Sequence, residues 1–184
     1  TTVGMSYKHG GLLPKTDSAY VEYERFKERF GEDGNTIVVG AEGHALYTPA
    51  HFKAWYELGN ALGEIQGIDS IFSEAHLFEL VRDDSLRRFA ARRVMDRPPV
   101  DRGEMDTLLA RIRALPFYNG LLYNDSTGAS LMMVFVNAAH FNTEGRSATV
   151  KAFGDRVDAF AKETGIPVHV SGLPWIRVKS TQLV

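Results

Sequence analysis

An α+β fold made of two small α/β subdomains is predicted by three observations. Apolar residues recur at helical spacing in four stretches, short apolar or β-branched runs of strand length lie between them, and an arginine-rich passage around Pro98-Pro99 interrupts the pattern near mid-chain. The expected boundaries are residues 1–81 for an N-terminal α/β subdomain, 82–102 for an Arg-rich connecting segment and 103–184 for a C-terminal α/β subdomain.

In the first part, residues 3–8 read as a short strand. Asp17 or Ser18 caps a helix that carries Val21, Tyr23, Phe26 and Phe30 and stops at Gly31. The β-branched run 36–41 predicts a buried strand. Thr48 is a helix cap, and Pro49 takes the first helical position, where its missing amide costs nothing. Phe52, Trp55, Tyr56, Leu62 and Ile65 follow at helical spacing, while Gly59 and Gly63 either weaken this helix or let another group pack close. Residues 68–72 predict the next strand.

Residues 82–102 hold seven arginines and four aspartates, a local excess of +3. Asp101 and Glu104 are spaced as a capping box, and the helix after them presents Met105, Leu108, Leu109, Ile112 and Leu115 before Pro116 ends it. Residues 121–123 and 129–136 predict two strands joined by a turn over 124–128. Ser147 or Thr149 starts a last helix with Val150, Phe153, Val157, Phe160 and Ala161 on its apolar face. Gly165 stops it, and 166–170 form a strand. With residues 89–94 as a first strand, the second half reads βαββαβ, the ferredoxin-like order.

The chain has 184 residues, 44% hydrophobic and 24% charged, an ordinary globular balance. A net charge of -2 supplies no field to recruit nucleic acid. The absence of cysteine removes disulfides, thiolate zinc sites and cysteine nucleophiles together. No segment approaches the roughly 20 apolar residues that span a bilayer; the longest apolar run is 131–136. The chain opens Thr1-Thr2 and stops at Val184 without a polar tail, so both ends are expected to be boundaries of an excised or processed piece.

Catalytic motifs are not found. None of the six histidines sits in HExxH or a close ligand cluster, so neither metal nor cofactor is expected. His169, flanked by valines, is expected to point away from them. Glu74, His76 and Glu79 could form a carboxylate–imidazole pair, but no nucleophile accompanies them. There is no GxSxG, and Gly31, Gly34, Gly40 and Gly43 match neither a P-loop nor GxGxxG. Asp83-Asp84 beside arginines reads as a solvated ion-pair face. The Asn124-Asp125-Ser126 sequon is accounted for by its turn. The chain is therefore not expected to be an enzyme. Two features point to binding. The arginines of 82–102, Arg87 and Arg88 among them, can hold an anionic headgroup, because guanidinium matches phosphate bidentately. Phe117-Tyr118 follows a helix stop, where a cleft for a hydrophobic ligand would use such side chains; Phe52, Trp55 and Tyr56 are expected in the core.

Several stretches resemble the first large extracytoplasmic loop of exporters of the resistance-nodulation-division (RND) superfamily, in the branch of the MMPL and hydrophobe-exporter proteins. Leu12-Leu13-Pro14, then Asp17, Tyr20, Tyr23, Phe26 and Phe30-Gly31, resembles that loop's Leu-Pro element and Phe-Gly helix end, followed by a strand at Ile37-Val38-Val39. Leu115-Pro116-Phe117-Tyr118-Asn119-Gly120-Leu121-Leu122 resembles its Leu-Pro, aromatic, Gly-Leu passage, and Ser171-Gly172-Leu173-Pro174-Trp175-Ile176-Arg177 its exit towards the second transmembrane helix. The resemblance spans nearly the whole chain.

The resemblance implies porter-type ferredoxin-like layers on the periplasmic side of the inner membrane, between the first and second transmembrane helices of a proton-driven exporter. It implies partners in the rest of that transporter (its transmembrane helices and second extracytoplasmic loop) and a hydrophobic or amphiphilic small molecule or lipid as substrate. A homo-oligomer is compatible with it. Phe117, Tyr118, Arg87 and Arg88 are the expected substrate-binding residues. The alternative is a free-standing ferredoxin-like module that binds or senses a small ligand; a hydrolase or oxidoreductase with an unfamiliar site ranks third.

Overall fold

A computed structural model describes residues 33–83 and 88–182. The strand expected at 3–8 and the helix expected from Asp17 to Gly31 lie outside the described residues. The described chain runs β1 (Thr36–Ala41), α1 (Pro49–Gly63), β2 (Ile68–Ser73), β3 (Phe78–Asp83), β4 (Arg88–Arg93), α2 (Arg102–Arg113), β5 (Tyr123–Asn124), β6 (Ala129–Val136), α3 (Ala138–Phe141), α4 (Gly145–Thr164), β7 (Val168–Ser171) and α5 (Leu173–Gln182). It is an α+β fold with antiparallel sheets.

The main sheet has the order β2-β6-β1-β7, and β5 pairs with the start of β6. Every pairing in it is antiparallel. β1 and β2 therefore run in the same direction with β6 between them. In β1 the buried residues are Ile37, Val39 and Ala41, the period-2 pattern of a strand with one covered face. Register places Val134 and Ile71 beside Ile37, and Met132 and Val170 beside Val39, so one sheet face collects these side chains.

That face is covered by α1 and α4. Thr48 caps α1 by accepting from the His51 amide, and Pro49 occupies the first turn. Phe52, Trp55, Leu58 and Leu62 of α1 and Phe153, Val157 and Phe160 of α4 join the same core, with the Trp55 and Phe160 rings 5.4 Å apart. α4 begins at Gly145, a few residues before the expected Ser147 or Thr149, and ends at Gly165 as expected. α5 follows β7 directly and lays Trp175 against Phe153 of α4.

Between β2 and β6 the chain leaves the sheet. It passes through a 3-10 turn at Glu74–His76, the two-stranded ribbon β3–β4, helix α2 and a second 3-10 turn at Pro116–Tyr118. Asp101 caps α2 by accepting from the Glu104 amide, as its spacing predicts. The return half of the expected box is displaced by one residue: Glu104 accepts from the amide of Val100 and from the guanidinium of Arg97.

Two expectations about assembly need correction. The described sheet is not divided at 82–102. Both edges of β1 are taken by strands from the second half, β6 and β7, so both sides of the arginine-rich segment build one layer. Nor does the strand expected at 89–94 open a second layer. Among the described residues β4 pairs only with β3, in a ladder from Phe78↔Arg93 to Asp83↔Arg88 that stands apart from the main sheet.

Candidate functional site

The excursion from 74 to 128 carries the polar chemistry. Its buried anchor is Glu74, only 1% exposed. Glu74 Oε1 accepts from Arg113 Nη1 of α2 at 2.6 Å, and Oε2 accepts from the Tyr47 hydroxyl at 3.0 Å. Arg113 also lies over the Tyr123 ring, 3.7 Å from its centroid, and its Nε meets Asp125 at 2.5 Å. Burial raises the carboxyl pKa of Glu74 above the usual range, although Arg113 and Tyr47 pull it down. Burial and the neighbouring Glu74 charge likewise push the Tyr47 phenol up. The arrangement is a closed structural node that ties α2 and the β5 turn to the main core. Its carboxylate is walled off from any ligand by its own partners.

His76 sits at the end of the same 3-10 turn. Its ring stacks on Tyr56 at 5.1 Å and binds Ser73 Oγ through Nδ1 (2.9 Å) and Asn60 Oδ1 through Nε2 (3.2 Å). The Cε1 edge of the ring abuts Gly59 of α1: a Cβ there would press on Cε1 and stand 3.0 Å from both ring nitrogens. This close approach is the reason for a glycine inside α1. Burial, helped by the charge of Arg93, lowers the His76 pKa to about 4 from 6.5. The unfolded chain therefore binds the proton more tightly, so the stability His76 confers is complete above pH 6.5 and is lost as pH falls towards 4. The denaturation midpoint is expected to drop between about pH 7 and pH 5, with a full cost on the order of 2 kcal/mol allowing for partial solvent screening. Urea titrations of the native chain and of His76→Gln check this; equal pH slopes in both would remove His76 as the cause.

Glu74, His76 and Glu79 thus do not form the pair that their proximity in sequence allows. Each takes a different partner, and Glu79 accepts from Arg92 at 2.6 Å and from Arg111 at 2.5 Å. Three further histidines among the described residues take other partners: His51 meets the Ala45 carbonyl, His140 the hydroxyl of Thr149, and His169 the Glu42 carboxylate. His169 is exposed on the side of β7 away from Val168 and Val170, as expected. Among the described residues no three potential metal ligands are grouped.

The expected binding residues are distributed unevenly. Phe117 is 76% exposed on the 3-10 turn Pro116–Tyr118. Tyr118 packs its ring against Phe72 of β2 (5.7 Å) and Phe117 (5.4 Å) and donates its hydroxyl to the Phe78 carbonyl of β3 at 3.0 Å. Arg88 is the first residue of β4, opposite Asp83. Arg87 lies outside the described residues. The turn and the ribbon are thereby adjacent.

Prominent apolar side chains missed by sequence reasoning include Leu80, 74% exposed, and Phe89, 68% exposed. The signal for Leu80 is confined to Phe78-Glu79-Leu80, where a charge separates two apolar residues before Val81 breaks the alternation, and the run Arg88-Phe89-Ala90-Ala91-Arg92-Arg93 gives none for Phe89. No protein-family model matches this chain, and no curated protein matches it.

Proposed function

We propose that this chain is an extracytoplasmic porter domain of a proton-driven RND-type membrane exporter, and that it helps to capture and pass hydrophobic or amphiphilic substrates rather than catalysing a reaction. In this reading β1-α1-β2 and β6-α4-β7 form one ferredoxin-like layer, with residues 74–128 as an excursion from it.

The observation that supports it is the sheet face opposite α1 and α4. Register sets Val38, Met133 and Phe72 side by side there, with Leu131 and Phe135 along β6. Four of these five are only half-buried, and Phe135 is exposed. A lone layer leaves such a face wet, whereas a layer packed against a companion domain covers it. The rest of the transporter, its second extracytoplasmic loop above all, would supply that companion. Tyr118 and Phe117 stand at the corner of this face beside Phe72, where an amphiphile entering between the layers would meet them. Among the described residues no helix is long and apolar enough to cross a membrane, so the proton-conducting part would lie elsewhere in the protein.

Reading the coding DNA on both sides of this sequence tests this. Apolar stretches of about 20 residues adjoining both ends are expected. A signal peptide or start codon just before Thr1, together with a stop codon just after Val184, would overturn the reading and leave the free-standing ligand-binding module.

A further inference from the structure

We propose that one face of the β3–β4 ribbon is a docking surface for an anionic lipid membrane. Directly opposed residues of an antiparallel pair share a face. The pairs Phe78↔Arg93, Leu80↔Ala91 and Arg82↔Phe89 therefore lie on one side of the ribbon. Phe78, Leu80 and Phe89 on that side are all exposed. The Arg93 guanidinium lies over the Phe78 ring, 5.6 Å from its centroid, so cation and apolar surface are presented together. Phe117, on the turn that Tyr118 fastens to β3, adds another exposed ring at the base of the ribbon.

The opposite side of the ribbon is already occupied. Glu79 there holds Arg92 and Arg111, and Arg111 also donates to the Val94 carbonyl at 2.7 Å, which fixes the ribbon against α2. The exposed face is thus held in one orientation, and docking it requires little ordering.

Charge selects the occupant. The ribbon and its turn, residues 78–93, carry five arginines against Glu79, Asp83 and Asp84, a net +2 in a chain of net charge -2, which leaves -4 for the remainder. Such a chain turns its ribbon towards a negative surface and its body away from it. Apolar rings flanked by guanidinium groups match a bilayer interface, where the rings enter below the headgroups and the guanidinium groups meet phosphate. A second copy docking face to face would bring arginine against arginine, and like charges in register repel. The proposal requires nothing of the exporter reading: it concerns the chain itself and holds for a free-standing module equally.

The test is co-sedimentation of the full chain with vesicles of equal parts phosphatidylglycerol and phosphatidylcholine, and with vesicles of phosphatidylcholine alone. Binding to the anionic vesicles is expected to be at least about tenfold tighter, and to lose most of that advantage at about 0.5 M salt. The double variant Leu80→Asp/Phe89→Asp is expected to abolish binding with an unchanged melting temperature, since both side chains are exposed. Should the aspartates unfold the chain, Arg82→Gln/Arg93→Gln decides: it is expected to remove the preference for phosphatidylglycerol. Equal binding to both vesicles, or a folded aspartate variant that still binds, would overturn the proposal. So would a chain that doubles its mass in solution and ignores vesicles, with the doubling lost in the aspartate variant, because the ribbon would then pair with a second copy.

Discussion

Replacing Arg113 with methionine is expected to destabilise the chain by about 3–5 kcal/mol, because it leaves a buried carboxylate without its cation. In a domain of this size that lowers the melting temperature by roughly 10 °C. Glu74 would keep only the Tyr47 hydroxyl from the two direct hydrogen bonds that now hold it, and the guanidinium over Tyr123 would be lost as well. Asp125, the exposed partner of the same arginine, serves as the control: Asp125→Asn is expected to change stability by less than about 0.5 kcal/mol, since its side chain is half in solvent. The effect of Arg113→Met also has a sign in pH. Burial already raises the Glu74 pKa above 4.5. A raised folded pKa means stability that is complete below pH 4.5 and is lost as pH rises through the folded value. Arg113 offsets that loss in the native chain, and nothing offsets it in the variant. The gap between the two proteins should therefore be wide at about pH 7.5 and narrower at about pH 5 in urea titrations. A gap of equal size at both would show that lost packing, and not the stranded carboxylate, accounts for the damage.

Gly172→Ala is expected to cost roughly 3 kcal/mol or more, from two sources that add. The backbone at Gly172 has φ of +121°, which side-chain-bearing residues avoid. A Cβ there would also press on the Thr36 carbonyl oxygen and stand 3.0 Å from Ile37 Cα, so the obstacle is the backbone of β1 and not a side chain that could swing away. Gly63→Ala provides the contrast. At the end of α1 its Cβ would meet Ile71 at an ordinary 3.6 Å, and the change should be neutral or stabilising by up to about 1 kcal/mol. Differential scanning calorimetry of both variants checks the pair. A Gly172→Ala protein that melts with the parent would mean that β1 and the start of α5 can separate freely.

Features decided by neighbouring residues were legible before the structure. The Thr48-Pro49 start of α1, the Asp101 cap of α2, the turn at 124–128 and the stop at Gly165 each rest on interactions within about five residues, and each stands where its residue types place it. Pairing was not legible. A period of two states which side chains of 36–41 share a face, but nothing in it selects 130–135 as the partner of that strand. The candidate site shows the same division. The arginine excess of 82–102 was visible as composition. Its distribution over two faces of a ribbon, with Arg92 turned to Glu79 and Arg93 to Phe78, depends on the β3–β4 register. Glu74 was read together with His76 and Glu79 because they are close in sequence, yet its partners Tyr47 and Arg113 are 27 and 39 residues away. The helix Leu173–Gln182 was passed over as an exit from β7, since Gly172 and Pro174 dominate the local signal.

The position of β6 between β1 and β2 sets a timetable for synthesis. Neither of the two earlier strands bonds to the other, and β1 finds both of its neighbours, β6 and β7, only in the last third of the chain. At about 5–20 residues per second, the apolar residues of β1 leave the ribosome several seconds before Val136 is made. Throughout that interval α1 can cover one face of β1 and β2, but their edges stay open to any other extended chain. The nascent chain is therefore most vulnerable to mispairing late in its synthesis, and a ribosome stalled within the 74–128 excursion would hold it in that state. A holdase that shields strand edges should raise the yield of native protein far more when added during translation than when added after release.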